Sequence, residues 1–296
     1  YTLWHTLSLH DALPISYAHA LREMGGPAFI LGLTLVVYWP LVQGYMPWMA
    51  DHTVHQLKAY VLAEHLLPSG RIMGWTPFSG AGYPAGQLYP LLGDLWVTLV
   101  RYATFKALSW ETTYAWAFLG VLLFIHLVPY YLGRRLYGPV AGVVFALLVF
   151  TDTGGFREGG FVFTVRYGVW PLMVSVGFSL LALERLVTLR KQEGLKGLAS
   201  YALMVALSLL AHPISLVFLF LAVPAYAFYE HLWYRRPVLW LKGLGGMALG
   251  VGISAFWFVP YFLRAPDFSS HVSNLWKSLP EIGQGVVGGN LYDGSW

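Results

Sequence analysis

The chain has 296 residues, of which 57% are hydrophobic and 11% are charged, with a formal net charge of +4 and no cysteine. Soluble domains carry about a quarter charged residues, so this composition excludes an ordinary water-soluble domain. The absence of cysteine excludes a disulfide framework and a thiolate metal site. The 13 Trp and 19 Tyr residues are typical of a protein with rings at the membrane headgroup level.

The two ends of the sequence carry the signs of an incomplete chain. Tyr1 stands where a natural start would have Met, and residues 1–16 resemble the translated read-through of a sequencing adapter. We therefore assign 1–16 to a non-native leader and exclude it from the fold. We expect a membrane domain over 17–262 and the start of a truncated segment over 263–296.

Seven apolar stretches are candidates for transmembrane helices, because a hydrocarbon core needs roughly 20 helical residues. A helix satisfies its own backbone polar groups in lipid. The sequence therefore predicts an all-α polytopic bundle of about seven spans, with a long first loop that carries interfacial helices. The seven stretches are 27–47, 114–133, 139–151, 168–188, 199–211, 214–233 and 241–262.

Lys and Arg residues predict the orientation, because cytoplasmic loops are enriched in them. All of them near the spans fall on one side if the seven spans alternate, which predicts a multi-pass protein of a prokaryotic cytoplasmic membrane. The segments 48–113, 152–167 and 263–296 then lie outside the cytoplasm, with the turn at His212. The basic residues are Arg22, Arg134, Arg135, Arg185, Arg190, Lys191, Lys196, Arg235, Arg236 and Lys242.

The segment 91–107 is also apolar, and counting it as a span would reverse the orientation of all that follows. Its pattern is amphipathic. Leu92, Leu95, Leu99 and Tyr102 share one helical face, while Asp94, Thr98 and Arg101 lie on others. We predict a helix that lies along the membrane interface rather than one that crosses it.

The first loop begins with polar residues at the membrane boundary. If the stretch after Ala50 is helical, then Asp51, His55 and Lys58 project on one side and form a polar edge that faces inward. Asp51 is also a preferred helix cap, and the capping and functional interpretations are compatible. Asp51, His52 and His55 could together ligate a divalent metal, although the spacing fixes no further ligand.

Further along, the loop has Gly and Pro punctuation among recurring aromatic residues. With the early Asp and its amphipathic helix, these motifs resemble the first outside loop of GT-C fold glycosyltransferases. More narrowly, they resemble a group of predicted integral membrane proteins labelled as 6-pyruvoyl-tetrahydropterin-synthase-related. The resemblance covers 27–262. Its motifs are Ser69-Gly70, Trp75-Thr76-Pro77, Tyr89-Pro90-Leu91, Gly159-Gly160, Gly168-Val169-Trp170-Pro171 and Ala211-His212-Pro213.

The resemblance implies transfer of a sugar from a polyprenyl-phosphate donor to a glycan, lipid or protein acceptor at the extracytoplasmic face. The family's first-loop Asp is matched here by Asp51, which would act as general base or would orient the acceptor. Cationic groups would stabilise the phosphate of the leaving lipid. The candidates for that role are Arg157, Arg166, Arg71, Arg264 and Lys58.

Other ionisable residues are candidates for binding the acceptor or a metal. Asp152 and Glu158 lie in the second outside loop, and His212 lies within an apolar run, where an ionisable group is a functional hypothesis by default. We expect no organic cofactor and no nucleic-acid partner. Two alternatives stay open: a transporter or flippase of lipid-linked material, and a non-catalytic scaffold of a surface-polysaccharide system.

Overall fold

The structure is a computed structural model that divides into two compact units, Tyr1–Ser254 and Ala255–Trp296. The first unit contains the candidate site and almost all of the elements. Of the second unit, the structure describes the last part of one helix. The described residues are 17–78, 82–87, 89–155, 159–189, 195–235 and 238–268.

The described residues form ten α-helices and one two-stranded hairpin. Two short π-helical turns, Leu62–Leu66 and Val162–Arg166, interrupt the connections. Strands β1 (Gly74–Thr76) and β2 (Tyr83–Ala85) are antiparallel. The helices are α1 (Tyr17–Val37), α2 (Trp39–Val42), α3 (Asp51–Val61), α4 (Leu92–Ala103), α5 (Trp110–Tyr137), α6 (Pro139–Thr151), α7 (Trp170–Thr188), α8 (Leu195–Ala211), α9 (Ser215–Tyr234) and α10 (Val238–Phe268).

Four helices of the described chain are long and apolar enough to cross a membrane: Trp110–Tyr137, Trp170–Thr188, Ser215–Tyr234 and Trp240–Leu263. The protein is therefore a mostly helical membrane protein. The other three predicted spans correspond to apolar helical segments of fewer than 18 residues, so the count of about seven is not confirmed. The predicted span 27–47 is wrong in its bounds, because α1 ends at Val37. Tyr38 leaves the α conformation, with φ of −104° and ψ of 34°, and Pro40 has no N–H to continue the helical hydrogen bonds.

Helix α5 is the centre of the bundle and packs against α1, α4, α6 and α7. Helices α5 and α6 approach closely at two glycines. A methyl group on Gly142 would lie 2.7 Å from the carbonyl oxygen of Tyr130, and one on Gly133 would lie 2.8 Å from that of Ala141. Small residues at such contacts are the usual way for membrane helices to pack.

Two of the basic residues that follow predicted spans, Arg135 and Arg185, meet at one end of the bundle, which we name the basic end. Arg135, near the end of α5, contacts Glu184 near the end of α7, with 2.7 Å between guanidinium and carboxylate. Arg185 lies 3.4 Å from the other carboxylate oxygen of Glu184. The starts of α5 and α7 lie at the opposite end, which we name the loop 1 end because residues 48–109 (loop 1) are there.

Loop 1 is a folded layer made of α3, the hairpin and α4. Thr98 and Tyr102 of α4 donate to the carbonyl oxygens of Ala59 and Ala63, at 3.4 and 2.7 Å. Helix α4 has 12 residues and is about 18 Å long, too short to span a bilayer. Its polarity is inverted relative to that of a soluble helix. Asp94 is 4% exposed, whereas Leu99 is 58% exposed.

A candidate site at the loop 1 end

Asp51 is the first residue of α3 and is exposed. Its backbone N–H donates to the carbonyl oxygen of Tyr167 at 3.0 Å, which fixes the start of the helix against the chain before α7. Ala50, not Asp51, occupies the capping position, so the prediction that Asp51 caps this helix is wrong. Ala50 has φ of 48° and ψ of −121°, a strained conformation for a residue with a side chain. Such strain is found most often at functional sites.

His52 holds the loop 1 layer to the bundle. Its Nδ1 lies 2.9 Å from the Tyr114 hydroxyl and its Nε2 lies 2.8 Å from the carbonyl oxygen of Val165. The Trp170 indole N–H donates to the same hydroxyl at 3.0 Å. Burial lowers the pKa of His52 to about 4, so the ring is neutral. Both nitrogens are engaged, and His52 is therefore a structural residue rather than a free metal or acceptor ligand.

Four side chains form a cluster between α3 and α4, which we name the polar cluster: His55, Lys58, Tyr89 and Asp94. The Lys58 ammonium lies 3.8 Å from the centre of the Tyr89 ring. The His55 ring lies 5.4 Å from the Tyr89 ring, centre to centre. His55 is 2% exposed, and its Nε2 has no hydrogen-bond partner. The inward-facing polar edge predicted for α3 is thus present at His55 and Lys58, but the prediction is wrong for Asp51, which is exposed because it begins the helix at the edge of the layer.

The charges in the polar cluster act on one another. Burial lowers the pKa of Lys58, and the carboxylates of Asp94 and Asp51 oppose that shift. Burial raises the pKa of Asp94 to about 7, while the Lys58 charge opposes the rise. Burial lowers the pKa of His55 well below its usual value, with the Lys58 charge adding to the effect. Lys58 is therefore a partly desolvated cation whose charge interacts with those of Asp94 and Asp51.

Asp94 is the site residue that sequence reasoning missed. The sequence places it off the apolar face of α4, but the pattern of an interfacial helix does not say which face packs on the protein. In the structure the side that carries Asp94 packs on α3, because Thr98 bonds to Ala59 and Gly93 lets Trp170 approach. The available signal was the pair Asp94 and Thr98, spaced by four residues in an otherwise apolar helix.

An apolar cavity of about 200 Å³ is partly open to the surface, and its lining residue Trp170 has its ring centre 5.1 Å from that of His55 in the polar cluster. Gly93, the neighbour of Asp94, lines it at the loop 1 end. Trp170, Val174 and Phe178 line it along α7, a helical rise of about 12 Å. A methyl group on Gly93 would come within 2.8 Å of the Trp170 ring, so this end of the cavity depends on glycine. The remaining lining residues are Leu92, Trp96, Gly120, Val121, Phe124, Pro171 and Ala211.

His212 follows α8 directly and lies next to the polar cluster. Its ring centre is 6.1 Å from that of Tyr89, and its carbonyl oxygen accepts from Ser215 at 2.8 Å. Burial lowers its pKa to about 4. The segments of Trp170 and His212, far apart in sequence, therefore meet loop 1 at the same end of the bundle.

The remaining predicted residues are spread more widely. Arg166 is exposed, but its neighbours Val165 and Tyr167 bond to the start of α3, so its backbone is close to Asp51. Arg71 is exposed in the turn before β1. Asp152 is exposed and accepts from the backbone of Gly154 at 3.0 Å, as a local turn residue does. Arg157, Glu158 and the side chain of Arg264 lie outside the described residues.

The predicted metal site at Asp51, His52 and His55 is not formed. Both nitrogens of His52 are already engaged. In the described ranges, moreover, no three His, Asp or Glu side chains are grouped closely enough to hold a metal ion. Comparison of the chain with protein-family models, with curated proteins and with solved structures finds no match.

Proposed function

We propose that this protein is a membrane glycosyltransferase that moves a sugar from a polyprenyl-phosphate donor to an acceptor at the extracytoplasmic face of a prokaryotic cytoplasmic membrane. The observation that carries the proposal is Lys58, a half-buried cation whose charge interacts with those of Asp94 and Asp51, in a cluster whose His55 ring lies 5.1 Å from Trp170 in the wall of an apolar cavity. A lipid phosphate needs both a cation and an apolar surface for its chain. The two are adjacent at the loop 1 end.

The orientation is part of the proposal. Arg135 and Arg185 lie at the end of the bundle opposite to loop 1. Positive residues favour the cytoplasmic side, so loop 1 faces outward. A donor whose phosphate is at the headgroup level would then meet Lys58 from the membrane, while an acceptor would reach the exposed Asp51 from water.

The proposed reaction is a single displacement at the anomeric carbon. The bond between an acceptor oxygen and that carbon forms, the bond from carbon to phosphate oxygen breaks, and polyprenyl phosphate leaves. Asp51 accepts the acceptor's proton as attack develops. The Lys58 ammonium stabilises the charge on the leaving phosphate. Asp51 and Lys58 are two turns apart on α3, and this gives each its own side of the reacting carbon.

Substitution of Asp51 tests the proposal. Asp51→Asn removes the proton acceptor and is expected to lower transfer at least about 100-fold. Transfer of labelled sugar from a panel of undecaprenyl-phosphoryl hexoses is measured in proteoliposomes. The melting temperature should change little, because the side chain is exposed.

Glu111→Gln is the matched control. Glu111 is another exposed carboxylate in the first turn of a helix at the same end of the bundle, and its loss should leave transfer unchanged. Transfer by Asp51→Asn at the rate of the unmodified protein would remove Asp51 from the mechanism.

A transporter of lipid-linked material is the second candidate. It is favoured by the buried carboxyl of Asp94, since an ionisable group buried near lipid often marks a transport path. A fluorescent undecaprenyl phosphate that crosses the proteoliposome bilayer, with no sugar transferred, would favour transport over transfer.

A further inference from the structure

Asp94 has no part in the displacement described above, although it is the carboxyl of the polar cluster and is buried. It is 4% exposed and lies on the side of α4 that faces α3, where Lys58 is its charged neighbour. A buried carboxylate is unstable unless it is paired or takes up a proton. Either state is available to Asp94, because Lys58 is close and the loop 1 end adjoins water.

We infer that Asp94 is an exchangeable counterion of Lys58, which a lipid phosphate displaces while Asp94 takes up one proton from solvent. The inference rests on the proposed function, since it assigns the donor phosphate to Lys58. In the empty site, Lys58 is balanced by Asp94. When the phosphate binds, a second negative charge enters the same low-dielectric space, and protonation of the carboxyl removes the repulsion.

The apolar cavity determines where the lipid phosphate would bind. Gly93 lines the cavity and Asp94 is the next residue of α4, and the ring of Trp170 in the cavity wall lies 5.1 Å from that of His55, so the phosphate of a lipid whose chain fills the cavity would lie at the edge of the polar cluster. The protonated carboxyl would then be a hydrogen-bond donor to a phosphate oxygen. The ionised carboxyl of Asp94 thus compensates the Lys58 charge in the empty site, and the protonated carboxyl can bind the phosphate in the occupied site.

The tyrosines and histidines around Asp94 do not change charge near neutral pH. Burial and the Asp94 charge raise the pKa of Tyr83, burial and the charges of Asp51 and Asp94 raise that of Tyr89, and Tyr114 faces the cluster from α5 as a hydroxyl bonded to His52. His55 and His212 are neutral because burial lowers their pKa values. Near the far end of α4, Glu64 is paired with Lys106 at 2.8 Å and with Arg101. The pKa of Asp94, about 7, is thus the one that matters for binding near neutrality.

The sign of the pH dependence follows from proton uptake. Below about pH 7 the carboxyl is protonated in both the empty and the occupied site, so the affinity for an anion is constant. Above that pH each bound anion must bring a proton, and the affinity falls by up to about tenfold per pH unit. Asn at this position is always neutral, so Asp94→Asn should bind with constant affinity across the same range.

The experiment measures binding of an undecaprenyl methyl phosphate, a diester whose single charge is fixed, to the purified chain in detergent. Dissociation constants are compared from about pH 6.5 to about pH 8 for the unmodified protein, Asp94→Asn and the control Glu111→Gln. We expect the unmodified protein and Glu111→Gln to lose about tenfold in affinity. We expect Asp94→Asn to lose little, and to bind more tightly than the unmodified protein at the upper end.

Each outcome is decisive. A structural role for Asp94 would make Asp94→Asn bind more weakly at every pH, and this result would overturn the inference. A flat pH profile in the unmodified protein would also overturn it, while leaving the proposed transfer reaction intact. Failure of all three proteins to bind the diester would contradict both the inference and the assignment of the donor phosphate to Lys58.

Discussion

The two ends of the bundle each hold a buried carboxylate beside a cation, but the pairs differ. At the basic end, Glu184 is 7% exposed and contacts Arg135 at 2.7 Å and Arg185 at 3.4 Å. At the loop 1 end, Asp94 is 4% exposed and is influenced by Lys58 through its charge. The Glu184 carboxylate has both oxygens close to guanidinium groups. The cation near Asp94 is the ammonium of Lys58, which is carried on a flexible stem, and burial raises the pKa of Asp94 to about 7.

The tyrosines beside the two cations differ in the same way. Arg135 donates to the Tyr131 hydroxyl at 2.6 Å, whereas Lys58 lies over the face of Tyr89. A hydrogen bond fixes a direction, while a ring face leaves the ammonium protons free for another acceptor. Burial alone therefore does not distinguish the two carboxylates. They differ in whether the cation near each of them can still bind something else.

The largest expected effect is that of removing the cation at the loop 1 end. Lys58→Met keeps the length of the side chain but loses the charge, and should lower transfer at least about 100-fold because the leaving phosphate is no longer stabilised. The protein should stay folded, since Asp94 can take up a proton and become neutral. The transfer rate is measured in the transfer assay, and the folded state is checked by a melting curve on the same preparation.

The control is Lys106→Met at the edge of loop 1, where Lys106 pairs with Glu64 outside the polar cluster. Its transfer rate should equal that of the unmodified protein. Equal losses in the two variants would show that positive charge near the membrane, rather than the position of Lys58, matters.

A smaller effect is expected at the basic end, and it should fall on stability. Arg135→Gln leaves a buried carboxylate with less compensation and should cost about 2 kcal/mol. Glu184→Gln leaves the more exposed guanidinium in contact with water and should cost about 1 kcal/mol. Denaturant titration followed by circular dichroism gives both values. Transfer per folded molecule should not change, and a loss there would make the two ends functionally alike.

The smallest effects are expected at the tyrosines. Tyr89→Phe keeps the ring face under Lys58 and should change diester binding less than about twofold, whereas Tyr89→Leu should weaken it about fivefold. At the other end, Tyr131→Phe removes the hydroxyl that Arg135 contacts and should cost about 1 kcal/mol of stability with no change in binding. Equal binding by the Phe and Leu variants at Tyr89 would argue against the ring contact.

Part of the candidate site could be predicted from the sequence because it lies on one helix. The spacing of Asp51, His55 and Lys58 predicts a shared side, and α3 extends over Asp51–Val61. Asp94 could not be assigned in this way, because periodicity identifies two faces of α4 without saying which one faces the bundle. His52 was a candidate ligand until the structure placed Tyr114 and Val165 at its two nitrogens.

The sequence by itself determined that this is a helical membrane protein, because hydrophobic residues and a shortage of charge act locally and additively along each segment. It also determined where the basic residues follow the apolar stretches. Only the tertiary structure decided that Asp94 is buried within range of the Lys58 charge and that its neighbour Gly93 lines a cavity. That arrangement depends on how α3, α4 and α7 pack, and burial and charge coupling are properties of the packed helices rather than of any one segment.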